Sequence, residues 1–236
     1  MLKVNQLTGF GAGGGKKVVV TEDWSNLDAW DTTTELNYRN DESVPVDSSV
    51  AVSGGRLIPS SYGTSAGGWW GPVASRLLPE VIEGDFTLAF DLRHKGTDAG
   101  FSHTAFGITD SRVATAANNY KDTCLCTDFY DANGFTSNAS FRPAWRYISD
   151  VFGTPDDYLH NSPEPDEQNI SVIMERVAGN ITIYVTGDAP YAGTWGPYAF
   201  DAPFDTLLAR FTCWSTTGTP IYNNSIGPIT FEGSPT

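Results

Sequence analysis

The chain has 236 residues, of which 28 are Asp or Glu and 14 are Lys or Arg, so its formal charge at pH 7 is −14. Its few basic residues are scattered, which argues against a nucleic-acid partner, because phosphate contacts need clustered Lys and Arg. No segment approaches the roughly 20 apolar residues of a membrane span, and the N-terminus lacks an apolar stretch of signal-peptide length. Glycine, proline and aromatic residues are abundant and no stretch keeps a helical period for three turns, so we expect an all-β domain.

The first 17 residues are predicted to form a flexible arm. They end in GFGAGGGKK, which is too rich in glycine to start a strand or a helix. Four apolar residues of the arm are spaced as anchors that could insert into a neighbouring subunit: Leu2, Val4, Leu7 and Phe10. We therefore divide the chain into an arm, residues 1–17, and one β-sandwich domain, residues 18–236.

The first strands after the arm are predicted to be short. Val18–Val20 opens the domain, and the segment DWSNLDAW carries Trp24, Leu27 and Trp30 as plugs for one edge of the core. VAVS-GG-RLIP then predicts a tight hairpin with Gly54-Gly55 at its turn. The segment SSYGTSAGGWWGP, which follows, is predicted to be a loop.

Alternating runs predict the central strands. The run DFTLAFDLR, residues 85–93, alternates strictly, and its predicted core residues are Phe86, Leu88, Phe90 and Leu92. Further strands are predicted at residues 101–109, 123–130, 135–141, 206–214 and 226–232. The Pro- and acid-rich stretch 154–168 is predicted to lie at the surface.

The most diagnostic segment is N-ISVIMERV-AGN-ITIYVT-G, residues 169–187. Two runs of period two flank a glycine-bearing turn, which predicts a β-hairpin. Each strand has one face to bury, and the six residues on these faces are Ile170, Val172, Met174, Ile181, Ile183 and Val185.

The three cysteines are an odd number. Cys124 and Cys126 are two residues apart in a predicted strand and are badly placed to bridge each other. A Cys126–Cys213 disulfide stays open, but buried thiols are the favoured interpretation and are typical of a reducing compartment.

The order of these segments resembles the concanavalin A-like lectin/glucanase superfamily, including laminin G-like modules. The segments that carry the resemblance are DWSNLDAW, GGRL, GDFTLAFDLR, FGIT, SVIMERVAGNITIYVTG and IGPITFEG. The resemblance implies a two-sheet antiparallel jelly-roll sandwich whose first and last strands pair. The arm sequence VNQLTGFGAGGG resembles the N-terminus of tailed-bacteriophage virion proteins, in which a short glycine-rich arm precedes a β-sandwich.

The catalytic patterns of enzymes with such a fold are absent from the sequence. Glycosidases need two carboxylates that flank the scissile bond, often from a strand with the pattern E-x-D-x-E. Here Glu80, Glu83 and Asp85 straddle a glycine turn, and Glu175 stands alone on its predicted strand. Residues 63–67 match G-x-S-x-G by letter but lack the strand and helix of a nucleophile elbow. We therefore expect that the chain is not an enzyme.

Loop aromatic residues are the candidate binding residues. Tyr62, Trp69, Trp70 and Trp195 lie in predicted Gly/Pro loops, where an aromatic face can stack on a sugar ring or anchor a protein partner. Core packing is the alternative for each of them.

A turn with the sequence Asn-Gly gathers oxygen ligands of the kind that calcium prefers. The candidate calcium ligands are Asp128, Asp131 and Asn133, and no other cofactor is expected. The alternative is an ordinary hairpin turn, in which Asp and Asn bond to nearby backbone groups.

The resemblance to virion proteins, together with the absence of a catalytic pattern, implies a non-enzymatic protein of a bacteriophage virion, a capsid-decoration or tail accessory subunit. The arm would dock onto other capsid or tail proteins, and the sandwich would face outward, with a cell-surface glycan as a further partner. We expect it to be part of a homo-oligomer or larger assembly that forms in the host cytoplasm, without membrane insertion. The alternatives are a secreted or periplasmic lectin or glycoside hydrolase of the same superfamily, and a generic interaction module.

Overall fold

The computed structural model describes residues 16–32, 49–61, 72–94, 100–110, 125–131, 138–146, 159–163, 167–188, 191–215 and 224–235. Within these ranges the chain forms fourteen strands and no helix, so no helix there could cross a membrane. The strands are β1 (Val18–Glu22), β2 (Ser49–Ser53), β3 (Arg56–Ser61), β4 (Val73–Ile82), β5 (Phe86–His94), β6 (Gly100–Thr109), β7 (Leu125–Asp131), β8 (Asn138–Arg146), β9 (Leu159–Pro163), β10 (Gln168–Val177), β11 (Asn180–Gly187), β12 (Gly193–Ala199), β13 (Phe204–Ser215) and β14 (Ser225–Gly233).

The strands are arranged in two antiparallel sheets. The eight-stranded sheet has the order β12-β11-β10-β5-β14-β3-β2, and β1 also pairs with β14. The six-stranded sheet has the order β4-β13-β6-β7-β8-β9. The first and last strands pair, with Val18 opposite Gly233. The prediction of an all-β, two-sheet antiparallel jelly roll is therefore confirmed.

The core lies between the two sheets and is built from the alternating residues of each strand. In the eight-stranded sheet all ten apolar residues predicted from β5 and the β10–β11 hairpin are buried. They meet residues of the six-stranded sheet, as where the rings of Phe90 and Phe106 have centroids 4.9 Å apart. The rings of Phe86 and Phe204 make a similar edge contact at 4.9 Å. Period-two alternation therefore places these side chains between the sheets, where their apolar area is removed from water.

The predicted turns are also present. Gly54 and Gly55 have φ angles of 58° and 69°, the left-handed conformation that a two-residue hairpin turn requires. The β10–β11 turn uses Ala178 and Gly179 with φ angles of 49° and 76°. Ala178 is held there because its backbone N–H donates to the Asp85 carboxylate at 2.8 Å. Asp85 therefore has a structural role at this turn.

One charged residue of the hairpin points into the core. Arg176 is 1% exposed, and its guanidinium donates to the backbone carbonyl oxygens of Gly84, Ala202 and Ile82. The same guanidinium lies over the rings of Phe86, Phe204 and Phe200, at 5.1, 5.5 and 5.9 Å from their centroids. Burial lowers the pKa of Arg176, and the nearby Asp85 and Asp201 oppose that shift.

The predicted aromatic plug forms one edge of the core around a buried carboxylate. Glu22 accepts hydrogen bonds from the Trp24 backbone N–H at 2.9 Å and from the Trp30 indole at 2.8 Å, and Arg76 Nη1 lies 3.1 Å from it. The Trp24 indole in turn donates to the carbonyl oxygen of Gly227 at 2.6 Å. Trp24 and Trp30 are buried, with Leu27 packed against them, so the prediction for this segment is confirmed.

Three strands are not predicted by the sequence patterns. β4 contains Pro79 and has an irregular burial pattern, β12 contains glycines and a proline, and β9 lies within the predicted surface stretch. All three lie at sheet edges, where proline is tolerated because one side of the strand needs no hydrogen-bond donor.

The strand register excludes the disulfide that the sequence left open. Cys126 pairs with Gly107 on one side of β6, whereas Cys213 pairs with Ser102 on the other side. Two interstrand spacings and five residues of rise separate the two cysteines, about 20 Å between Cα atoms. A disulfide requires Cα atoms closer than about 7 Å, and Cys126 is instead buried in the six-stranded sheet.

Candidate functional site

Of the four predicted binding aromatics, only Trp195 lies within the described residues; Tyr62, Trp69 and Trp70 lie outside them, and their role stays a prediction. Trp195 is not in a loop, which corrects the prediction. It lies in the edge strand β12, paired with Ile183, and packs against the core. The Trp195 indole packs on Gly193 of the same strand, so closely that a Cβ added at Gly193 would lie 2.8 Å from the ring. Only part of this ring is therefore accessible to a ligand.

The predicted calcium ligands and arm anchors also lie largely outside the described part. Asp128 and Asp131 belong to β7, but their side chains and the whole of Asn133 are not described, so calcium stays a prediction. Leu2, Val4, Leu7 and Phe10 are not described either. The last two residues of the arm are described, and Lys16 contacts Glu80 while Lys17 contacts Glu232. The boundary between arm and sandwich stays a prediction.

A polar cluster lies on the outer face of the eight-stranded sheet, near one end of β3, β14, β5 and β10. Its position follows from alternation, because the neighbours of these residues along each strand are core residues such as Leu57, Leu92 and Ile226. We call this set the outer cluster, and its members are Arg56, Asp91, Arg93, Glu167, Asn169, Ser171 and Ser225.

Arg56 is the centre of the outer cluster. Its Nε donates to the Ser225 hydroxyl at 2.7 Å, and its guanidinium crosses β14 above Gly227. A Cβ at Gly227 would lie 2.8 Å from Arg56 Nη1 and 2.8 Å from the Cβ of Asp91, so only glycine leaves room for this crossing. Burial lowers the pKa of Arg56 and the positive charge of Arg93 lowers it further, against the opposing effects of Asp91 and Glu167.

The remaining members hold each other in place. Arg93 Nε lies 3.0 Å from a Glu167 carboxylate oxygen and donates to Asn169 Oδ1 at 3.2 Å. The Asn169 backbone N–H donates to Asp188 at 2.7 Å, and the Ser171 hydroxyl donates to Asp91 Oδ1 at 2.6 Å. The cluster therefore presents guanidinium donors and carboxylate acceptors on one half-exposed surface.

Two sets of carboxylates come together through strand pairing rather than through a local motif. Glu175 does not stand alone in space, because Glu175 and Glu232 both pair with Thr87, one from each side, on the outer face of the eight-stranded sheet. In the six-stranded sheet, Asp110 and Asp205 lie beside the last pair of the β6–β13 ladder, and both are 6% exposed. No sequence spacing indicates either set.

Four apolar residues line the face of the six-stranded sheet that points away from the core. They are buried and form a second apolar cluster: Val73, Ala105, Cys126 and Leu208. Arg210, two residues after Leu208 in β13, is also buried. The alternation of β13 places Arg210 and Leu208 on the same face.

The chain resembles known proteins in structure but not in sequence. No family model matches the chain, and no curated protein matches it. Among solved structures, the CBM2 module of the evolved Dit of Lactobacillus casei BL23 phage J-1 is similar, with a TM-score of 0.65 and 15% identity over 94% of this chain and 98% of that module.

Two glycoside hydrolases share the fold less closely. The endo-β-1,3-glucanase of Pyrococcus furiosus has a TM-score of 0.52 and 9% identity over 94% of this chain and 96% of the enzyme. The GlcNAcα1-4Gal-releasing endo-β-galactosidase of Clostridium perfringens has a TM-score of 0.52 and 10% identity over 95% of this chain and 63% of the enzyme.

These findings contradict the prediction that the chain is not an enzyme. The fold is shared with glycoside hydrolases, so the absence of an E-x-D-x-E strand from the sequence does not exclude catalysis by carboxylates that come from separate strands. The resemblance to concanavalin A-like proteins is confirmed, and the similarity to the phage J-1 module agrees with the resemblance to bacteriophage virion proteins. The chain thus has the concanavalin A-like jelly-roll fold.

Proposed function

We propose that this chain is a glycan-binding protein of a bacteriophage particle, a capsid-decoration or tail accessory subunit that recognises a host surface polysaccharide. The observation that carries the proposal is the similarity to the phage J-1 module, which extends over nearly the whole length of both chains. The outer cluster supports it, because sugar hydroxyls both donate and accept hydrogen bonds and the cluster offers partners for both.

Binding to insoluble and soluble polysaccharides tests the first half of this proposal. The recombinant protein should sediment with at least one neutral glycan of a panel that includes β-1,3-glucan, cellulose and galactan, and a heat-unfolded sample should not. Retention of the folded protein on no glycan of the panel would contradict glycan binding.

Antibody labelling tests the second half. Gold particles carrying antibodies against this protein should decorate intact virions of the phage that encodes it, at a fixed number per particle. Labelling confined to free protein in the lysate would contradict a virion location.

The arm is proposed to dock the protein on the particle. Deleting residues 2–15 should leave the melting temperature nearly unchanged, because the first strand begins at Val18, and should abolish incorporation into virions. Ordering such an arm costs roughly 1 kcal/mol or more per residue in backbone entropy, so it needs a partner surface. Calorimetry and particle purification measure the two effects, and a truncated protein that unfolds would show that the arm belongs to the core.

Hydrolysis of the bound glycan is a second candidate function, favoured by the fold shared with the Pyrococcus furiosus glucanase and by the buried acids at the β6–β13 end. Release of soluble reducing ends in the same panel measures it. If Asp110 and Asp205 carry the reaction, Asp110→Asn and Asp205→Asn should each lower the rate at least about 100-fold. The exposed Asp28→Asn variant is the matched control and should hydrolyse at the parental rate.

A further inference from the structure

The outer cluster contains hydrogen-bonding groups that its own contacts leave unused. Within the described part of the chain, the Ser225 hydroxyl is the hydrogen-bond partner of the Arg56 guanidinium, and it takes only Nε. The Ser171 hydroxyl likewise engages only one carboxylate oxygen of Asp91. Arg56 and Asp91 are both half-buried. They approach each other above Gly227 without forming an ion pair. The Arg56 guanidinium, a hydrogen-bond donor, and the Asp91 carboxylate, an acceptor, are thus held side by side.

The charges around this position select between classes of ligand. An anion would satisfy Arg56 but would be repelled by Asp91 and Glu167, whose charges act on the same guanidinium. The chain as a whole carries a formal charge of −14, which disfavours the approach of an acidic polymer. Two adjacent hydroxyl groups of a sugar satisfy both partners, because one hydroxyl can accept from Arg56 while its neighbour donates to Asp91.

The neighbours of Arg56 and Asp91 fix the geometry of this pair. Ser225 orients the Arg56 guanidinium and Ser171 orients the Asp91 carboxylate, so a ligand would not have to order either side chain. Arg93 is held by Glu167 and Asn169 and bounds the position on one side.

We propose that Arg56 and Asp91, above Gly227, bind the vicinal hydroxyl pair of an uncharged saccharide on the outer face of the eight-stranded sheet. This inference rests on the proposed glycan-binding function and places its contact site. A sugar ring bound there would lie along the ends of β3, β14, β5 and β10, away from the acids of the six-stranded sheet.

The experiment is a titration of ¹⁵N-labelled protein with laminarihexaose, cellohexaose and a neutral galactan oligosaccharide, with inorganic phosphate as the anionic probe. A neutral oligosaccharide should shift the amide signals of Ser225, Gly227 and Asn169. Arg56→Gln should weaken binding at least tenfold, and Gly227→Ala should do the same, because its methyl group would displace the guanidinium. Lys16→Gln removes one positive charge beside Glu80 of the six-stranded sheet and should bind like the parent.

The outcomes separate the two proposals. If the parent binds a neutral oligosaccharide but its shifted amides lie elsewhere, or Arg56→Gln binds equally well, the site is wrong and the glycan-binding function stands. If phosphate alone shifts these amides, the ligand class is wrong. If the parent binds no oligosaccharide and no polysaccharide of the panel, both proposals fail. Amide mapping on the parent protein keeps the test valid even if a variant does not fold.

Discussion

Replacing Phe90 with alanine should lower the free energy of unfolding by about 3–5 kcal/mol. Phe90 is 3% exposed and lies in β5, with Val172 opposite it on β10 and Ile229 opposite it on β14. Its ring also meets Phe106 of the six-stranded sheet. The truncation would therefore open a cavity that touches both layers, and neither layer can collapse into it without moving the other. Urea denaturation of both proteins measures the difference.

Tyr184→Ala is the matched control for that substitution. It also truncates an aromatic residue in the eight-stranded sheet, but Tyr184 is 39% exposed. Its loss should cost less than about 1 kcal/mol, as is usual for surface positions. A change below 1 kcal/mol for Phe90→Ala as well would mean that the two sheets do not face each other across this ring.

The second large effect is expected for Arg176→Met, which should cost about 2–6 kcal/mol because two carbonyl oxygens lose their donor. Methionine keeps most of the apolar stem but removes the donors that satisfy the carbonyl oxygens of Gly84 and Ala202 at 2.9 and 2.8 Å. These carbonyls lie in the connections before β5 and before β13, and a buried carbonyl without a donor costs about 1–3 kcal/mol. The cation above three phenylalanine rings is lost as well.

Arg93→Met makes the same chemical change on the surface. The Arg93 side chain is 38% exposed and its ion pair with Glu167 is open to solvent, so the cost should stay below about 1 kcal/mol. Chemical denaturation of the two variants in one buffer gives the comparison. Equal stability of Arg176→Met and the parent would show that the guanidinium does not hold these two connections.

The sequence predicts correctly those strands that have one face in the core and the other in solvent, because their apolar and polar residues alternate. β5, β10 and β11 lie side by side in the eight-stranded sheet, so a strict alternation of apolar and polar residues appears in each. Edge strands carry a weaker signal. In β12 the packing of Trp195 across Gly193 replaces alternation, and a loop is predicted where a strand is found.

The outer cluster could not be predicted, because its members come from separate strands. Arg56 and Ser225 are far apart in sequence and meet only because β3 pairs with β14. Asp91 and Ser171 meet through the β5–β10 register. A sequence motif reports residues that are close along the chain, whereas this surface depends on register, which a single sequence constrains only through its alternation. The one local signal is Gly227, a glycine in the interior of the predicted strand 226–232.

The pairing of Val18 with Gly233 places the start of β1 and the end of β14 side by side, with their Cα atoms within about 6 Å. A bulky label on the C-terminus would therefore crowd the root of the arm and could mimic the effect of deleting it. Particle-incorporation assays should carry their tag at the β10–β11 turn instead, where the exposed residues Ala178 and Asn180 leave space. The same proximity makes the chain suited to circular permutation, with a short linker joining the ends and new termini opened at Gly54-Gly55. With the arm moved to its new N-terminus, such a permutant would present the arm before β3 instead of before β1. Every sheet pairing of the parent would remain.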